Sequence, residues 1–150
     1  MSVRGWPLSL ALVLAVPVMA GCRGSQGSPG SEVSRSPNAS DDTRAQQVSG
    51  LVALATGAYA SAGPQALYDY LSYAILGHCT REGVAAALAG QETPRGLRTV
   101  TDIRFQSSNQ ATANAVYITD EGDKDVAWSL IMEDGSWRIS DLPGLSGCRS

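Results

Sequence analysis

Cationic charge is scarce in this chain. Its single lysine, Lys124, and its scattered arginines make 11 basic residues against 14 acidic ones, a net charge of −3. Without a basic cluster there is no electrostatic footprint for nucleic acid and no means of holding an anionic membrane surface by charge alone. Histidine occurs once, as His78, and the three cysteines stand at no Cys/His spacing that would suggest zinc. The glycines form neither a phosphate loop nor a dinucleotide-binding motif, and there is no internal repeat or heptad array. No cofactor follows from any of these patterns. The apolar run from Leu8 to Met19 falls short of the roughly 20 residues that span a bilayer, which argues against a permanent membrane-crossing anchor there.

That short run does have the layout of a secretory signal: Arg4 precedes it, the small residues Ala20 and Gly21 end it, and Cys22 follows. An ordinary secreted signal would leave Cys22 as an unpaired thiol in an oxidising compartment. The segment Met19-Ala20-Gly21-Cys22 resembles a bacterial lipobox, with Met19 where leucine is usual. The resemblance implies cleavage before Cys22, diacylglycerol on its sulfur, and an extracytoplasmic protein anchored to the cell membrane by lipid. Residues 1–21 are then the signal peptide. Their removal takes only Arg4 among charged groups and leaves a net charge of −4. One acyl chain binds membranes weakly, but two or three on one terminus give stable attachment.

Residues 22–42 are rich in Ser, Gly and Pro, with Val33 the only large aliphatic residue. Such a segment buries too little apolar surface to offset its chain entropy, and a flexible tether of about 20 residues spans roughly 25 Å. Residues 43–150 are of single-domain length.

Helical periodicity opens that domain. With Thr43 as N-cap, Val48, Leu51, Val52, Ala55, Ala58 and Tyr59 recur at steps of three and four up to Gly63-Pro64. After Pro64, Leu67, Tyr70, Leu71, Ala74 and Ile75 predict a second helix to Gly77. Tyr68, Tyr70 and Tyr73 do not share one of its faces, so at least one lies outside the core. Thr80 caps a third helix from Arg81 to Ala89. The period then becomes two. Leu97, Thr99, Thr101, Ile103 and Phe105 alternate with Arg98, Val100, Asp102 and Arg104, and β-branched residues fill the run from Ala111 to Thr119. A hairpin at Asp120-Glu121-Gly122-Asp123-Lys124 leads to a strand with Val126, Trp128, Leu130 and Met132 on one face. A turn at Asp134-Gly135 leads to another with Trp137 and Ile139 inward.

Helices followed by an antiparallel meander of about four strands predict an α+β fold in which a curved sheet buries one face under the helices. The element order, Tyr59 ending helix one, Leu71-Ser72-Tyr73 with Cys79 beyond, and the final Asp134-Gly135-Ser136-Trp137-Arg138-Ile139 strand resemble the NTF2-like cone fold. More narrowly they are similar to small actinobacterial-type lipoproteins that carry one such domain.

Lipid on Cys22 would leave Cys79 and Cys148 as an even pair in an oxidising compartment, where they are expected to bond and tie the end of helix two to the C-terminal tail. The rival reading is a reactive thiol at Cys79 activated by His78. Catalytic cone-fold relatives, the ketosteroid isomerases and polyketide cyclases, place carboxylate, tyrosine or histidine groups between helices and sheet. The candidates for such positions are Tyr59, Asp69, His78, Asp102 and Tyr117, of which Tyr59, Asp102 and Tyr117 are the pocket set; no spacing among them singles out a catalytic constellation. His78 at a helix end is accounted for by the helix dipole. Asp120, Glu121, Asp123 and Asp125 lack the glycine and glutamate positions of a calcium loop, and read as a solubilising, edge-protecting hairpin tip. Two functions remain open: a noncatalytic module that binds a small apolar ligand or an envelope protein, and a cavity enzyme.

Overall fold

The computed structural model describes residues 39–148. The signal segment, Cys22 and the tether up to residue 38 lie outside the described residues. Helix α1 (Ala39–Ala62) starts earlier than expected: Thr43 is inside it, and Asp41 and Asp42, assigned above to the tether, form part of its first turn. Two carboxylates at the positive end of the helix dipole stabilise that early start. Arg44 holds Asp41 at 3.3 Å one turn later.

Val48, Val52, Ala55, Thr56 and Tyr59 form the buried stripe of α1. The second predicted helix is in fact two pieces, a 310 helix at Pro64–Tyr70 and the single turn α2 (Tyr73–Leu76). Between them Leu71 is extended, at φ −76° and ψ 152°, and bridges Ile139 in parallel. The Ser72 N–H donates to the Ile139 carbonyl at 2.9 Å. A backbone that satisfies a sheet edge cannot also continue a helix, so tertiary pairing overrides the helical periodicity at this point. Tyr73 is half exposed; its hydroxyl donates to Asp134 at 2.9 Å and the Arg138 guanidinium lies over its ring. Helix α3 (Arg81–Leu88) begins where predicted, with the Gly83 N–H donating to Thr80 Oγ1 at 3.0 Å.

Strands β1 (Gly96–Phe105), β2 (Gln110–Ile118), β3 (Asp123–Glu133) and β4 (Ser136–Asp141) form one antiparallel sheet in sequential order. The architecture is therefore α+β, helices first and then a four-stranded antiparallel sheet, a layout compatible with a cone-like fold. Asp134 and Gly135, both at positive φ, form the two-residue turn between β3 and β4, the turn whose twist matches paired strands. In β2 the buried set is Ala111, Ala113, Ala115 and Tyr117; facing it in β3 are Leu130, Trp128, Val126 and Lys124.

In β1 the expected alternation does not survive. Register shifts between Leu97 and Thr99 and between Thr101 and Arg104 change the parity, so Leu97, Val100, Ile103 and Phe105 are the partly buried positions. Asp102 sits in the second irregularity at φ 51°. Bulges of this kind bend an edge strand and spoil it as a template for further pairing. Arg44 fastens the adjoining loop to α1: its guanidinium covers the Phe105 ring at 3.9 Å and donates to the Ser107 and Ser108 carbonyls at 2.8 and 3.0 Å.

After β4 the chain crosses back over α3. Leu142, Leu145 and Cys148 are buried, and Gly144, at φ 97°, lies so close to Leu88 that an added Cβ would stand 3.0 Å from its Cδ2. Cys148 reaches Cys79 at disulfide-bonding distance, with Cα atoms 5.6 Å apart.

Candidate functional site

A half-enclosed cleft lies where the ends of α1 and α3, the C-terminal tail and strands β2 and β3 meet. Its walls are Tyr59 from α1, Leu88 from α3, Tyr117 from β2, Val126 from β3, and Leu142 and Pro143 from the tail. Gln91, Glu92, Lys124 and Asp125 complete its lining. The helical period places Tyr59 at the end of the buried stripe of α1. Strand parity places Tyr117 inward, because it continues the Ala111, Ala113, Ala115 series.

The cavity measures about 80 Å³. That is the space of two or three waters on a scale of about 30 Å³ each, well below the roughly 300 Å³ at which drug-sized ligand sites begin. As it stands it accepts the end of a molecule, not a whole one.

Beside the cleft the buried polar atoms Thr56 Oγ1, Tyr59 OH, Tyr117 OH and Trp128 Nε1 gather. Burial pushes the Tyr117 phenol well above its ordinary range, opposed by the adjacent Thr56 hydroxyl and Trp128 indole and reinforced by Tyr59. Burial also raises Tyr59, with Thr93 opposing. Both groups are therefore neutral at physiological pH, neither bases nor nucleophiles.

A testable consequence follows from the sign of these shifts. An unfolded phenol loses its proton near pH 10, whereas these two hold theirs to higher pH, so their contribution to stability is complete below about pH 10 and drains away as pH rises beyond it. Absorbance titration at 295 nm should show phenolate from Tyr59 and Tyr117 only above that range. In Tyr117→Phe the loss of stability on the alkaline side should be shallower.

The mouth of the cleft carries the charge. Glu92 lies in the loop between α3 and β1, and Lys124 lies in β3 opposite Tyr117. Their charged atoms are 3.9 Å apart. The Glu92 carboxyl is held below the usual carboxylate range, chiefly by the Thr119 hydroxyl and further by the Glu121 and Asp120 backbone N–H groups and Lys124, against the opposing effect of desolvation. The Glu121 N–H donates to Glu92 at 3.3 Å.

The structure brings together two of the three pocket candidates, Tyr59 and Tyr117. Asp102 is not in the cleft: the bulge that spoils the parity of β1 turns it outward, where it is exposed and 3.8 Å from Arg104. Asp69 is also exposed, paired with Arg81. His78 is exposed, while Cys79 is buried against Cys148. Each aspartate of the hairpin meets a partner: Asp120 meets Arg95, Asp123 lies 2.6 Å from Arg98, and Asp125 accepts from Asn114 at 2.9 Å. Sequence reasoning missed Glu92, Lys124 and the tail residues. Lys124 did leave a signal, since counting back by two from Trp128 and Val126 puts the only lysine of the chain on the inner face. Glu92 left none, because a loop has no periodicity to read.

No protein-family model and no curated protein matches this chain.

Proposed function

We propose that this chain is a lipid-anchored extracytoplasmic protein whose NTF2-like domain is a noncatalytic binding module. The lipobox resemblance at Cys22 supports the anchor, and the helices-then-meander order supports the cone fold. The observation that carries the binding reading is the cleft itself. Tyr59, Leu88, Tyr117, Val126 and Leu142 wall it with apolar and aromatic surface, and its charged groups stand at the mouth. A pocket of that composition orients an apolar group entering from a polar rim.

The cavity-enzyme reading draws on one observation, two tyrosines and a carboxylate bordering one cleft. The protonation states weigh against it. A carboxylate held below its usual range is a poor general acid, and phenols raised by burial are poor bases at neutral pH. Neither tyrosine is therefore matched with Glu92 as an acid–base pair.

The test is expression of the full chain with radiolabelled palmitate in a bacterium that processes lipoproteins. Label and membrane fractionation are expected for the unaltered protein, and neither for Cys22→Ser; label on the variant, or none on the parent, overturns the anchor. Mass spectrometry of small molecules extracted with the membrane-purified protein examines the second half. Compounds recovered unchanged after incubation support binding, and their conversion supports the enzyme.

A further inference from the structure

The apolar cleft does not end at its charged rim. On the far side of Glu92 and Lys124 lies a second hollow of about 240 Å³, bordered by the same two residues and by Thr119, Glu121, Gly122 and Asp123. The Glu92–Lys124 pair is thus the partition between a space with apolar walls and a space with polar ones. The two members of this pair are held very differently. Glu92 accepts from the Glu121 N–H at 3.3 Å, and only 24 % of its side chain is exposed. Lys124 faces Glu92 at 3.9 Å, too far for a hydrogen bond, with 44 % of its side chain exposed. A long, flexible side chain in that position can swing into solvent at little cost. Moving Lys124 aside removes one of the two side chains that border both hollows, which opens the apolar cleft toward the polar one.

From this arrangement we infer that the cleft takes a small amphipathic amine, whose ammonium replaces that of Lys124 beside Glu92 while its apolar end fills the space between Tyr59, Tyr117 and Val126. The lysine is both the gate and a resident stand-in for the ligand's charge. Three features select this chemistry. The fixed group at the partition is an anion. The carboxylates of Glu121 and Asp123 border the polar hollow, with Asp123 already answered by Arg98. Two aromatic side chains line the apolar side, a surface that suits the alkyl end of such an amine. An anionic ligand would have to pair with Lys124 while lying against Glu92.

This inference rests on the binding-module reading, and the experiment separates the two. The full chain in nonionic maltoside micelles is titrated with n-butylammonium, n-butanol and n-butyrate, with binding followed by saturation-transfer NMR. Butylammonium is expected to bind at least about tenfold more tightly than either analogue, in line with the loss of one charge-assisted contact. Glu92→Gln should weaken it by about tenfold or more. Lys124→Gln, which removes the competing cation, should strengthen it several-fold. Circular dichroism confirms that both variants are folded. Preference for butyrate, equal binding of butanol, or indifference to both substitutions overturns the amine inference and leaves the binding module standing. If none of the three binds, the cleft is lost to both readings.

Discussion

Replacing Cys79 and Cys148 together by serine is expected to lower stability by roughly 4 kcal/mol, the chain-entropy value for a closed loop of about 70 residues. In a domain of this size that is a fall on the order of 15 °C in Tm. The two residues are 69 apart in sequence, at disulfide-bonding distance and both buried, so a cross-link between them would restrain most of the domain in its unfolded state. The effect should be uneven across the molecule. Between β4 and Cys148 the tail is held by Leu142 and Leu145 and by a tight approach of Gly144 to Leu88. Its amides should therefore exchange with solvent faster in the variant while those of β2 and β3 change least. Leu142 and Pro143 also wall the cleft, so loosening the tail loosens the site. In the unaltered protein the nonreduced mass should lack two thiol hydrogens; free-thiol labelling of both cysteines without reduction would sink the pairing.

Trp128→Ala should cost about 3–5 kcal/mol, since it removes the largest fully buried side chain among the described residues and leaves a cavity that its neighbours cannot fill. Ala113 stands directly opposite it, flanked by Ala111 and Ala115 along β2. Three small side chains in a row on the inner face leave the space that the indole occupies, and none of them can grow to close the void. Against a total stability of about 5–15 kcal/mol, the variant should show a strongly reduced urea midpoint and near-ultraviolet circular dichroism that melts early. A change below about 1 kcal/mol would mean that Trp128 is not the centre of this core. Trp128→Phe, which keeps an aromatic ring there, should recover a large part of the loss.

The helices and strands were legible where a single periodicity could be satisfied locally. Thr80 capping α3, the buried stripe of α1 from Val48 to Tyr59, and the inward faces of β3 and β4 all follow from spacing alone, whereas β2 was legible as a strand but not in which face it buries. The misreadings fall where a distant partner intervenes. Leu71 and Ser72 leave the helical path because the edge of β4 offers backbone hydrogen bonds, and β1 changes parity at two bulges that its alternating residues do not announce. Half of the site was visible for the same reason. Tyr59 and Tyr117 lie on periodic elements; Glu92 and the tail residues reach the cleft through loops.

By itself, the order of residues determined the class of the fold and which faces of most of its elements are apolar, because these depend on periodicity and on counting. Only the tertiary structure decided that Asp102 faces solvent, that the apolar cleft is about 80 Å³, and that a lysine and a glutamate from separate segments stand between it and a polar hollow. Those facts depend on strand register, loop path and the approach of groups about 30 residues apart in the chain, quantities that no local pattern encodes.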